Sequence, residues 1–282
     1  MNISIRLILT IILLNIAGIS MAQQWTKELI LSPAFMGPNA LPVPEIKTGT
    51  YDTLISLETA YDYHYNTGDQ TQNIFNRLYI PITPGKVGIE VTMVPVEYFV
   101  MNEETVEARH LFHKDLKGYH SGDFYISTYW QVLQNHHYLP DILLSINIKT
   151  ASGFGIESAR HTDTPGYYFD ISTGKNINLC SNIVIRPFAL LGFYCYQTYE
   201  YNHFQNDALM YGFGILGRIK DIEINNLIGG YAGYMNNGDQ PLVYRASIQS
   251  RFSKMFNFKI QYQHGLIDFP YRSARFSVLY HF

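Results

Sequence analysis

The stretch Ile55-Ser56-Leu57-Glu58-Thr59-Ala60-Tyr61-Asp62-Tyr63-His64-Tyr65 alternates without a break. Its odd positions carry Ile, Leu, Thr and three Tyr; its even positions carry Ser, Glu, Ala, Asp and His. Successive side chains of a strand point to opposite faces, so a period of two describes a ribbon with one oily and one polar side. The same pattern recurs downstream. Phe124, Ile126, Thr128, Trp130 and Val132 oppose Asp123, Tyr125, Ser127, Tyr129 and Gln131. Ile142, Leu144, Ile146 and Ile148 oppose Leu143, Ser145, Asn147 and Lys149, and Tyr244, Ala246 and Ile248 oppose Arg245, Ser247, Gln249 and Arg251. The chain closes with Ala274, Phe276, Val278, Tyr280 and Phe282 against Arg275, Ser277, Leu279 and His281.

About twelve such segments are predicted, near 51–65, 72–82, 87–98, 123–133, 141–150, 166–173, 182–196, 208–218, 222–234, 242–252, 257–264 and 272–282. Two prolines qualify this pattern. The face switches around Pro95, which predicts a bulge or an edge position, and Pro81 calls for the same reading. Segment 182–196 is apolar on both faces.

Composition narrows the class. Of 282 residues, 47% are hydrophobic and 15% aromatic, and only 15% are charged, against roughly 25% in soluble domains. A mean hydropathy of -0.06 is too polar for several spanning helices. A net charge of -3 excludes a basic nucleic-acid-binding domain. At the start, Arg6 precedes an apolar run from Leu7 to Ile19, with the small residues Ser20 and Ala22 before Gln23. This reads as a secretory signal over 1–22. The run is shorter than the roughly 18 residues a spanning helix needs. Cys180 and Cys195 are expected to be free, since fifteen extended residues cover on the order of 50 Å.

Connections also alternate. Long ones, including 100–122, 150–165 and 198–207, are expected at one end, and tight turns such as Thr83-Pro84-Gly85-Lys86, Ile219-Lys220-Asp221 and Ser253-Lys254-Met255 at the other. A soluble β-sandwich would also alternate, but its strands are usually shorter than the ~9–11 residues that cross a bilayer tilted. Aromatic rings end the oily faces, Tyr61, Tyr63 and Tyr65 at one rim and Tyr280 with Phe282 at the other, where an amphipathic ring suits an interface. Backbone groups in hydrocarbon need partners, so spanning strands must close into a ring.

The export signal, the strand pattern and the terminal strand ending in Tyr280 and Phe282 resemble those of Gram-negative outer-membrane β-barrel proteins. The resemblance implies an all-β transmembrane antiparallel barrel of about 12 strands over 49–282. It implies residence in the cell outer membrane, with lipid around the barrel and Tyr280 and Phe282 presented to the barrel-assembly machinery. An even strand count then places both termini in the periplasm.

A twelve-stranded ring has a lumen narrower than a sixteen-stranded porin's aqueous channel. Its expected lining includes Glu58, Asp62, Glu90, Asp123 and Asp170 from early strands, Tyr125 and Lys149, and Arg245, Arg251 and Arg275 from late strands. Arg218 and Lys259 belong to the late, cationic group. Acids on one wall and cations on the other would set up a transverse field that orients a polar solute, and Tyr125, Tyr129 and Tyr168 offer faces for sugar rings. The same charges would otherwise pair and fill a closed lumen. A Pro-rich extension, 23–48, precedes the barrel. Its four prolines between Leu29 and Pro44 bar an ordinary strand, while its apolar content argues against a solvated linker. It is either a plug in the mouth or lumen, or a periplasmic tail or docking segment.

Chemistry-bearing clusters are sparse. His110, His113, His120 and Asp123 lie in or near the longest loop without a helix to set metal-ligand spacing. His120-Ser121 and the pair His161 and Asp163 would suit a lipid hydrolase, which needs a base beside a serine nucleophile, but no wider motif surrounds them. No cofactor or metal is expected. The leading expectation is a channel or binding barrel for small polar solutes. The alternatives are a closed structural or partner-binding barrel and a lipid-modifying enzyme.

Overall fold

The computed structural model describes residues 29–111, 115–200 and 203–282, without the side chains of 199 and 200. The export signal expected over 1–22, residues 23–28 and His113 lie outside the described residues. The strands in chain order are β1 (Ser56–Asn66), β2 (Asp69–Thr83), β3 (Val87–Met101), β4 (Lys117–His120), β5 (Tyr125–Leu133), β6 (Asp141–Lys149), β7 (Gly166–Gly174), β8 (Ile177–Cys180), β9 (Ile183–Glu200), β10 (His203–Ile219), β11 (Ile222–Ala232), β12 (Leu242–Ser250), β13 (Phe256–Ile267) and β14 (Arg272–His281). A short helix, α1 (Glu103–Ala108), follows β3, N-capped by the Asn102 side chain accepting from Thr105 N.

Twelve of these strands form a closed antiparallel ring, with β14 returning to β1 in the register Glu58↔Leu279, Asp62↔Arg275 and Tyr65↔Arg272. β4 pairs only with β3, and β8 only with β9, so these two short strands stand outside the ring. They were not visible as alternation because four residues complete only two periods. No helix among the described residues is long and apolar enough to cross a membrane, which leaves crossing by strands untouched.

Period two divides inside from outside as read from sequence. On β5 and β6, Ile126, Trp130, Ile146 and Ile148 are exposed on the outer face, whereas Ser127, Tyr129, Ser145, Asn147 and Lys149 are buried inside. The switch at Pro95 is a bulge within an interior strand rather than an edge. Ile74 pairs with Val96 but Asn76 with Met93, so β3 carries one extra residue. Beyond it, Glu97, Phe99 and Met101 are buried. A second register shift follows Pro81. Cys180 is exposed and Cys195 buried, and both are free.

The ring has two unlike ends. At the turn end, where β1 begins and β14 finishes, β10 passes to β11 through Lys220 and Asp221. At the loop end lie residues 102–111, 115–124, 150–165 and 233–241, while β1 turns into β2 through Thr67 and Gly68. The connection expected over 198–207 is shorter, because β9 runs to Glu200 and β10 resumes at His203.

Residues 29–48 run through the lumen from one end to the other. Leu29, Leu31, Met36 and Ala40 pack with Phe99, Met101, Val106, Leu111, Ile156 and Ala159 at the loop end. Leu41, Val43 and Ile46 then join Phe188, Leu190, Tyr194, Met210, Tyr231 and Val243 in the middle. That contact explains the inner half of the apolar pattern in segment 182–196: Phe188, Leu190 and Tyr194 face this segment, while Leu191 faces outward. At the turn end Thr48 O accepts from Arg186 Nε at 2.9 Å. The first described residue therefore lies at the end opposite Phe282. β1 starts and β14 finishes at the same end, and the segment crosses the barrel before β1 starts; the first residues of the chain, whose expected place was the periplasm, lie outside the described residues.

Candidate functional site in the lumen

Wall side chains replace the hydrogen-bond ladder that a proline-rich segment cannot make. Pro42 and Pro44 carry no N–H, and their neighbours' carbonyls, buried in a tube, need donors. Arg245 on β12 supplies two, donating from Nη2 to Val43 O at 2.5 Å and from Nη1 to Pro44 O at 2.8 Å. Its Nε is held by Gln263 Oε1 at 2.6 Å. Tyr231 OH donates to Leu41 O at 3.1 Å. Ile46 occupies a socket made by two glycines that face each other in the β10–β11 ladder, Gly212 and Gly229. A Cβ on either would stand 2.7 or 2.5 Å from the Ile46 side chain.

The loop end is shut by a buried charge network. Asp69 Oδ2 accepts from Arg109 Nη1 at 2.7 Å, Arg160 Nη1 at 2.8 Å and Tyr271 OH at 2.6 Å. Arg160 also donates from Nε to Glu97 Oε1 at 2.6 Å and from Nη2 to Thr71 Oγ1 at 2.5 Å. The Arg160, Asp69 and Glu97 side chains are fully buried. Asn39 of the segment donates to Glu97 Oε2 at 2.6 Å and to Asn73 Oδ1 at 2.9 Å. One network thus binds β2, β3, three connections and the segment. Sequence reading missed all of it except the lumen pattern around it. Glu97 is reachable only by carrying the Pro95 face switch through, and Arg109, Arg160 and Tyr271 sit in irregular chain with no period to reveal them.

Besides Arg245, the expected lining residues fall into four groups. Asp62 and Glu58 on β1, Arg275 on β14 and Glu90 on β3 lie around Arg77 of β2. Arg275 forks onto Asp62 at 2.6 and 2.7 Å, and Glu58 takes Arg77 and Lys259, each at 3.0 Å. Arg77 also approaches Glu45 at 3.5 Å and Glu90 at 3.6 Å. A transverse field between opposite walls is therefore not present at these positions. Ring closure sets the first strand beside the last, so the early acids and late cations are neighbours and neutralise one another. Asp123 and Lys149 pair at 2.7 Å nearer the loop end, with Lys149 also donating to Thr164 O. Arg251 sits apart at the turn-end rim, half exposed, with Arg218 on Glu223. Asp170 and Tyr125 line the middle, where Asp170 holds Lys47.

Beside the segment lies a cavity of about 140 Å³ lined by Arg77, Glu90, Tyr125, Tyr129, Tyr168, Arg245, Gln261 and Arg275. A wider vestibule of about 490 Å³ opens at the turn end between Tyr51, Glu58, Arg186, Arg218, Gln249 and His281. Glu45, Lys47, Arg77, Glu90 and Tyr129 border both spaces.

The clusters that suggested other chemistry are dispersed. His120 stacks on Phe99 with centroids 5.5 Å apart, His110 is exposed, and both Asp123 oxygens are engaged, by Lys149 and by the Ser152 and Gly153 N–H groups. His161 is buried with Nε2 3.8 Å from Glu97, and burial holds its imidazole below the ordinary histidine range. Asp163 is exposed. No group of three or more metal-capable side chains occurs among the described residues.

No protein-family model and no curated protein matches the sequence. Solved structures do. An outer membrane channel from Pseudomonas putida F1 aligns over 85% of this chain and 100% of its own, at 9% identity and a TM-score of 0.58. The KdgM porin (80% and 99% covered, 11% identity, TM-score 0.45) and the β-domain of the Bordetella autotransporter BrkA (82% and 100%, 13%, 0.46) align too distantly to add to it. The chain is similar in fold to that channel: it is a closed, twelve-stranded antiparallel barrel.

Proposed function

We propose that the protein resides in the outer membrane, turn end toward the periplasm, and that its lumen binds and passes a small polar solute under the control of residues 29–48. One observation carries this reading: the central cavity and the turn-end vestibule border the same five side chains, Glu45, Lys47, Arg77, Glu90 and Tyr129, so two polar spaces adjoin inside the barrel, with the segment and the Arg160 network filling the way beyond them. Residues 29–48 act as a plug. Lipid covers the outer face, and Tyr280 with Phe282, rings 4.7 Å apart at the last strand, meet the assembly machinery. A closed structural barrel is the second reading, favoured by the pairing of Asp62 with Arg275 and Glu58 with Lys259.

Single-channel recording separates the two. The native chain is expected to be nearly silent, and a chain lacking 23–48 to conduct steadily. Arg245→Ala, which releases two carbonyls of the plug while keeping the sequence length, is expected to flicker between these states. Silence in all three removes the passage reading and leaves the structural one.

A further inference from the structure

Lys47 occupies a site built by the barrel wall. Its ammonium lies 2.6 Å from Asp170 Oδ2 and 2.9 Å from Ser145 Oγ. It also stands 5.5 Å from the centroids of both the Tyr129 and Tyr168 rings. A carboxylate, a hydroxyl and two aromatic faces are the elements that recognise a desolvated cation: the carboxylate supplies charge, the ring quadrupoles add attraction from the sides. Asp170 is built in firmly. Its side chain is fully buried, and Ser145 donates to the same Oδ2. Asp170 Oδ1 has no hydrogen-bond partner, an orphaned buried acceptor that a plain structural ion pair would leave unexplained.

Arg77 gives the contrast. It is met by three carboxylates from the segment and two wall strands, so it completes the wall's own charge balance. Lys47 instead reaches the cage from the segment, beside both the cavity and the vestibule. We infer that the Asp170–Ser145–Tyr129–Tyr168 cage is an ammonium-recognition site, that Lys47 is its resident occupant, and that the solute it takes is a small molecule bearing a primary ammonium group. This rests on the proposed reading of the lumen as solute-bearing, and it names the solute class and the contact that competes with the plug. A solute ammonium that displaces Lys47 weakens the hold on the segment near its turn-end exit.

The test uses the full chain with Lys47→Ala, folded in detergent, and n-butylammonium as the probe, because it carries the ammonium that the substitution removes on a chain long enough to refill the three methylenes lost, Cγ to Cε. Butylammonium is expected to bind Lys47→Ala at least about tenfold more tightly than it binds the native chain, whose cage is filled, a difference of ~1.4 kcal/mol. It is expected to raise the thermal midpoint of Lys47→Ala. Neutral n-butanol should do neither, and adding Asp170→Asn should abolish the effect. If Lys47→Ala folds poorly, refolding yield with butylammonium against butanol reads the same site. Equal response to the two probes, or an unchanged response in the Asp170→Asn background, overturns the inference. Binding is read without conductance: a silent plug-deleted barrel that still discriminates butylammonium keeps the cage and loses passage, whereas a conducting barrel that does not discriminate loses the cage and keeps passage.

Discussion

Replacing Arg160 by Met is expected to cost the folded barrel about 3–5 kcal/mol, the usual consequence of removing one partner from a buried ion pair. The side chain has no exposure and reaches Glu97, Asp69 and Thr71 at once. Met matches much of its volume over the Phe99 ring, where the guanidinium carbon now sits 4.8 Å from the centroid. The loss is therefore electrostatic rather than a cavity. Glu97 would keep the Asn39 amide, and Asp69 would keep Arg109 and Tyr271, but two carboxylates would face one guanidinium out of reach of water. Arg160→Lys should fall between, since a point charge cannot fork onto Glu97 and Asp69 together. Urea unfolding of the detergent-folded barrel measures the series. A loss under about 1 kcal/mol for Met, the size of an exposed pair, would show that the network is hydrated and that the loop end is not sealed by it.

The second large effect concerns the segment alone. Valine at Gly212 and at Gly229 puts branched carbon where Ile46 now lies, since even a Cβ would stand 2.7 and 2.5 Å from it. Overpacking of this kind costs about 1–3 kcal/mol per site. Here the strain has an escape: the wall is locked by its ladder, so the segment moves. The double variant is expected to keep its barrel and to release residues 29–48, which then become cleavable by added protease. Gly217→Val is the control, because a Cβ there meets nothing nearer than 3.9 Å. A protected segment in the double variant, or an exposed one in the control, contradicts the socket.

Alternation made the wall legible. Each of the twelve ring strands coincides with a predicted segment, and the inward placement of Glu58, Asp62, Ser145 and Lys149 follows from period two alone. What lay outside that period was hidden. Lys47, Arg160 and Tyr271 stand in chain without regular structure, so no periodicity marks the atoms they reach. The pairing of Asp62 with Arg275 joins residues 213 positions apart, and depends on closing the ring, which turns remote strands into neighbours. Proline content excluded an ordinary strand between Leu29 and Pro44 but carried no information on direction, and the direction is what separates Leu29 from Phe282.

That direction has a consequence for how the molecule is made. Val43 is a bolt inside a hoop, and the hoop is fastened where β14 meets β1. Unless a chain end is pulled through a finished hoop, the fastening must come after the bolt is in place. A seam stapled early would give an empty shell with Arg245 holding nothing.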